Sequence, residues 1–390
     1  MAMLVAYGVA EVLGRRMQSE LRKGFPPPRE AEADAAGQSH ADPSRTTRAE
    51  LPSAPNTGAD PVAKPPAEVV IMTEVLAEGP PVRQRLGYPA VLEPLYEGLR
   101  QIPGSGWDFE IEAVGIEQFD DPDELLRMAD TLPLMETPIF ALLNARRKHP
   151  GKFKVLTRNF SAGSSTHPPF RFVGRRNGRP AAALDIEDLC GRTIGVIGHY
   201  MSPTVTLSAA LRKLGVDTKI WRTSDWSERT PSDQRLDLLV SETMAGQHHA
   251  LKSKQVDWAL VIYPYTHDSY ASRFADPTME HVKIEPLESL MSQLLASQTL
   301  NVLVTRSDWY EGNRQWRVAV DGLMENVLWK NRILEEDEDA KLIHAAGQSV
   351  EETVLSGEIE FDTRTEGIHS GELRKLDSVG AGAGLWPEAA

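Results

Sequence analysis

Apolar residues recur along this chain in short runs that alternate with stretches of helical spacing. The runs at 69–73, 109–114, 132–135, 153–158, 170–175, 193–197, 218–221, 256–262 and 301–305 predict strands, the shorter of them apolar on both faces as buried strands of a parallel sheet are. Helical periodicity predicts helices over 88–99, 121–128, 136–145, 203–214, 245–252, 316–333, 341–346 and 350–355. Strands that alternate with helices imply an α/β protein with mainly parallel sheets. No period typical of a solenoid is present.

One stretch, 189–216, organises the rest. The run 193–197 ends at Gly198, which lets the chain turn sharply. Ser202 is a suitable N-cap and Pro203 suits the first helical position, where no N–H is needed. Leu207, Leu211 and Leu214 follow at helical spacing, and Gly215 is a stop signal. Such a strand–loop–helix unit points unpaired N–H groups and the positive end of a helix dipole at whatever lies above the strand. It suits a carboxylate, sulfonate or phosphate, although any α/β domain contains units of this shape.

Composition changes the picture at the N-terminus. Segment 1–25 is apolar first and basic afterwards (Arg15, Arg16, Arg22, Lys23), the reverse of an export signal. It predicts a short amphipathic helix and a cytoplasmic location. That helix could pair with another copy of the chain or with a partner. Segment 26–67 is rich in Pro and Ala, and no aromatic residue stands between Phe25 and Tyr88, which predicts a disordered linker.

Charge and cysteine content exclude several functions. The formal charge of −14, from 42 basic and 56 acidic residues, argues against nucleic acid and anionic membranes as partners. No apolar run is long enough to span a bilayer. The single cysteine, Cys190, rules out an internal disulfide and a cysteine metal site, and its place before a strand predicts a buried packing role. His248 and His249 lack ligand-like neighbours, so no metal is expected, and no Gly-rich phosphate loop or Gly-x-Ser-x-Gly elbow occurs.

Three segments carry a family resemblance. Asp188-Leu-Cys-Gly-Arg-Thr-Ile-Gly-Val196 resembles the entry to the second lobe of type II periplasmic-binding proteins. The step from 251 to 260, with Gln255-Val256-Asp257-Trp258-Ala259, is similar to their helix–strand step. Arg306-Ser-Asp-Trp-Tyr310 before a long helix is similar to their entry to the closing helices. Within that superfamily the chain looks most like the 4,5-dihydroxyphthalate decarboxylases, on the strength of Tyr200-Met-Ser-Pro-Thr204, 306–313 and Glu366-Gly-Ile368. Gly198-His199 and Pro203 depart from that subgroup. The resemblance, over 68–376, implies two α/β lobes around a ligand cleft, one formed by 68–170 with 300–390 and the other by 171–299.

It also implies a small anionic, hydroxylated aromatic acid as substrate and a lyase that needs no cofactor. Such a reaction needs an anion clamp, a proton donor to the ring carbon, and a dry site. The 199–204 loop is the candidate clamp, with Ser202 and Thr204 as donors. His199, Tyr200 and His167 are the candidate acids, and Arg171, whose planar fork matches a carboxylate, stands where the subgroup has an Arg/His pair. Glu74 and Thr137 follow predicted strands, where ligands bind in open α/β sheets. Tyr263, Tyr265 and His267 follow another and suit the wall of a planar substrate. A non-catalytic solute-binding protein for an organic anion and a ligand sensor both stay open.

Overall fold

A computed structural model describes residues 83–93, 96, 110–176, 184–263, 265–266, 276–336, 358–363 and 367–386. The N-terminal helix and linker, the strand over 69–73 and the helices over 341–346 and 350–355 lie outside these residues, as do Glu74 and His267.

The chain builds two six-stranded mixed sheets. The first contains β1 (Arg85–Pro89), β2 (Glu110–Val114), β3 (Leu134–Pro138), β4 (Phe153–Ala162), β11 (Thr299–Arg306) and β12 (Ile359–Phe361), in the order β12-β4-β11-β3-β1-β2. The second contains β5 (Phe170–Arg175), β6 (Thr193–Ile197), β7 (Thr218–Arg222), β8 (Leu236–Ser241), β9 (Trp258–Ile262) and β10 (Met279–His281), in the order β10-β5-β9-β6-β8-β7. Each sheet is the floor of one lobe. The chain passes between lobes at 163–169 and again near 297, and the two passages are tied where Ser297 N donates to Gly163 O at 3.1 Å. Among the described residues no helix is long and apolar enough to cross a membrane.

Helices cover the sheets in register with the sequence pattern. In the first lobe α1 (Ile116–Asp120) is followed by α2 (Pro122–Ala129), which Asp121 caps by accepting from Asp123 N at 2.9 Å. After β3, α3 (Ile139–Lys148) collects Arg146, Arg147 and Lys148 in its last turn, where cations favour the dipole. In the second lobe α4 (Ser202–Lys213) follows β6, and α5 (Met244–Lys252) and α6 (Leu287–Leu295) complete the layer. The chain then returns through α7 (Ser307–Gly312) and α8 (Arg314–Glu336), and α9 (Ser370–Gly382) packs along α4 and reaches α3.

Four expectations are corrected. Residues 88–89 belong to β1 rather than to a helix over 88–99: they continue the parallel ladder with β2, Tyr88 facing Ala113 and Pro89 facing Val114, and 86–89 are buried throughout. Glu136 and Thr137 belong to β3 and pair with Leu303 and Val302, so α3 begins only at Ile139. Ser202 lies inside α4 and Met201 is its N-cap, so the Ser202 hydroxyl does not cap the helix. Cys190 is exposed, because the residue that enters the core just before β6 is Leu189. β8 is a strand that the pattern missed between β7 and α5, and α6, α9, β10 and β12 were not foreseen.

Candidate functional site

The place to look for a ligand is set by where β6 delivers the chain. At Gly198 the backbone takes φ = +58°, a left-handed turn, and the 199–201 loop leads into α4 against the other lobe. The helix start faces a cavity between the lobes. Met201, Ser202, Pro203, Ile262 and Tyr263 line it from the second lobe, and Leu92, Phe160, Leu300 and Asn301 from the first. The free space is about 20 Å³, and one water molecule needs about 10–15 Å³. The cleft is therefore shut, and an organic ligand enters only if the lobes part. The Ser202 hydroxyl already spans it, donating to Leu300 O at 3.5 Å.

Behind the first-lobe wall lies a buried polar cluster. Asn301 Nδ2 donates to Glu136 Oε1 at 2.9 Å, and the Tyr96 hydroxyl donates to Oε2 of the same carboxylate. Tyr88 stacks on Tyr96 with ring centroids 4.2 Å apart. The Lys330 ammonium lies 4.7 Å from the Tyr96 ring centroid and 5.4 Å from that of Phe361. Glu136 and Lys330 are both fully buried, and no acceptor among the described residues reaches Lys330 Nζ. Burial pulls the lysine down to about 8 despite the nearby Glu136 charge. The Tyr96 hydroxyl is raised, first by burial and then by Glu136.

The structure distributes the sequence candidates unevenly. Ser202 and Tyr263 line the cavity. Thr204 is buried and donates to Ile197 O at 2.9 Å, tying the helix to its own strand. Thr137 is fully buried in β3, and Tyr265 packs into the core. His199 and Tyr200 stand at the rim with rings 4.9 Å apart. Burial lowers the His199 imidazole, aided by Arg222, and raises the Tyr200 phenol. His167 is exposed and bonded to Thr166 Oγ1 at 3.0 Å, and it is not among the residues that line the cavity. Asn301, Phe160, Tyr96 and Lys330 were missed.

Arg171 does not face the cavity. Its guanidinium is held by the carbonyls of Pro168 and Phe170, at 3.0 and 2.9 Å, and by the buried carboxylate of Glu358 at 3.1 Å. Thr266 donates to the other oxygen of Glu358, so this carboxylate knots β5, the segment after β9 and the entry to β12. Arg171→Ala takes the guanidinium from a fully buried carboxylate, and breaking such a pair costs about 3 kcal/mol. The expected result in urea unfolding is a loss of that size; affinity for an anionic ligand should change far less. A wider groove of about 380 Å³ runs between 165–171 and α6; Arg171 lines it, but so do Glu285 and Glu288, and it lies open to solvent.

No protein-family model and no curated protein sequence matches the chain. Solved structures do. The alkanesulfonate-binding protein SsuA from Xanthomonas axonopodis pv. citri, bound to MOPS, matches with a TM-score of 0.52 and 15% identity over 79% of this chain and 96% of that one. A Candida albicans gene product described as having the generic periplasmic-binding-protein fold matches with a TM-score of 0.51 and 14% identity, over 80% of this chain and 92% of that one. The chain has the periplasmic-binding-protein fold. At these identities the likeness extends to the architecture alone, and it agrees with two sheets joined by two passages. Nothing in it singles out the decarboxylase group.

Proposed function

We propose that the chain binds a small organic anion in the cleft and closes over it. The observation that carries this is the cavity between the lobes, walled on one side by the first turn of α4, where the Ser202 and Thr204 N–H groups have no partner within the helix. Phe160 and Tyr263, with ring centroids 5.6 Å apart, supply an apolar wall for the ligand body, and Asn301 supplies a polar contact. No carboxylate lines the cavity among the described residues. The likeness in fold to an alkanesulfonate-binding protein supports the same class of ligand, as one sulfonate or carboxylate on a compact carbon frame.

Carboxy-lyase chemistry is the finer reading that the sequence resemblance implies. It needs a group able to protonate a ring carbon, and such transfers are made chiefly by His or carboxyl side chains. None of the described cavity-lining residues is of that type. Binding without turnover is therefore the better supported role.

The test is calorimetry with a panel of alkanesulfonates, benzoates, hydroxylated phthalates, sugars and amines, with carbon dioxide release monitored in parallel. One anionic class should bind and nothing should be released. Binding of sugars or amines alone would overturn the anionic reading, and release of carbon dioxide would overturn the non-catalytic one. Ser202→Asp places a carboxylate at the cavity wall while suiting a first helical turn. It should weaken anion binding at least about tenfold, the effect of roughly 1.4 kcal/mol, and lower the melting temperature as well, because Ser202 is buried and its hydroxyl faces Leu300 O.

A further inference from the structure

The donors in front of α4 already hold an anion, and it comes from the opposite lobe. Asp120 ends α1, in the first lobe, and its side chain is only 6% exposed. Its Oδ1 accepts from His199 N at 3.2 Å, and the Tyr200 backbone N–H donates to the same carboxylate. Arg222, at the end of β7, brings a guanidinium nitrogen to 3.9 Å from Oδ2. Among the described residues every hydrogen-bond and ion-pair partner of this carboxylate belongs to the second lobe. Ile116, at the start of the same short helix, packs against the Gly198 turn, so the whole of α1 rides on this loop.

We propose that Asp120 is an interlobe latch: its carboxyl group fills the loop's donors, ties the two lobes together across the mouth of the cleft, and takes up a proton as the lobes close. The ligand's route in then lies through breaking this contact. That consequence rests on the cleft being the binding site, whereas the latch itself does not.

The groups facing Asp120 are His199 and Tyr200 from the loop, Arg222 from β7 and Glu117 from its own helix. Burial raises the Asp120 carboxyl to about 6; Arg222 and the two backbone donors oppose that rise, and Glu117 adds to it. Once the lobes part, the group meets water and returns to the ordinary carboxylate range near 4. Protons are therefore bound more tightly in the closed form, and closure strengthens as pH falls through 6. With those two values the closing equilibrium gains about tenfold between pH 8 and pH 5. His199 acts the other way, because burial disfavours its charged form and opening restores it. The two slopes partly cancel in the parent protein, so each is seen only when the other group is removed.

The exposed Cys190 and an introduced Arg146→Cys give one dye site on each lobe, and single-molecule energy transfer between them reads the closing equilibrium of the ligand-free chain. At pH 5, where the closed form holds the carboxyl protonated, Asp120→Ala should shift the population to the longer distance, and Asp120→Asn, which keeps an acceptor, should shift it less. In a His199→Gln background the closed fraction should rise on acidification by the tenfold stated above. Adding Asp120→Asn to that background should abolish the rise. Near-ultraviolet circular dichroism checks that each variant retains packed aromatic residues. An unchanged distance distribution in folded Asp120→Ala would overturn the latch, and a flat pH response in His199→Gln would overturn its proton coupling. Neither outcome touches the anion panel, which judges the binding role separately.

Discussion

Glu136→Ala should lose about 4 kcal/mol of stability, near the upper end of what one buried substitution costs. The size follows from what the carboxylate holds. Asn301 Nδ2 and the Tyr96 hydroxyl both donate to it, and an unsatisfied buried donor costs about 1–3 kcal/mol. Lys330, fully buried with no acceptor at Nζ among the described residues, also loses its counter-charge. Glu136→Gln keeps one acceptor and should lose about half as much. Lys330→Met in the Glu136→Ala background should recover more than about 1 kcal/mol, since two groups of one network couple by that amount. Urea unfolding of the four proteins settles it, and a Glu136→Ala variant within 1 kcal/mol of the parent protein would show that the cluster is not assembled as described.

The same cluster sets a slope on the alkaline side. Lys330 sits near 8 in the fold and at the ordinary 10.4 in the unfolded chain. Between those values the unfolded chain binds the extra proton, so stability contributed through Lys330 rises with pH. The rise is isolated by subtracting Lys330→Met. In Glu136→Gln it should begin at lower pH, because the carboxylate that keeps the lysine charged has gone.

The fold was largely legible because short apolar runs and strand–helix alternation are local signals. β6, its Gly198 turn and α4 were readable, with only the N-cap of α4 misplaced by one residue. What misled was ambiguity at edges. The residues from Tyr88 onward carry helical spacing, yet Tyr88 and Pro89 pair with Ala113 and Val114 of β2 and only the residues from Ala90 turn helical. The site was half legible. Ser202 and Tyr263 were reachable because strand ends point at clefts, while Arg171 and His167 were chosen for their chemistry. Which partner a guanidinium meets depends on contacts as remote as Glu358, 187 residues away. Lys330 had a readable signal that went unused. Trp316, Val320, Leu323 and Val327 form a buried stripe on α8, and Lys330 is its next step of three. A charged residue on an apolar stripe is a candidate for a buried network.

Gly198→Ala should destabilise the chain by about 3 kcal/mol through two separable costs. A non-glycine residue at φ = +58° loses about 1–2 kcal/mol to backbone strain. The added methyl would also lie 2.5 Å from Ile116 Cγ2 and 2.8 Å from Met201 Cγ, and overpacking of this kind costs about 1–3 kcal/mol. The first cost is internal to the loop, but the second is relieved if α1 moves away, because Ile116 belongs to the first lobe. Part of the lost stability should therefore appear as a more open cleft, with the dye-pair distance lengthened and anion affinity reduced about tenfold. Removing the methyl it meets, by Ile116→Ala in the same chain, should restore the short distance without repairing the backbone strain. A Gly198→Ala protein that is destabilised but no more open would mean that the second-lobe loop and Met201 absorb the clash, and that the lobes do not meet through this turn.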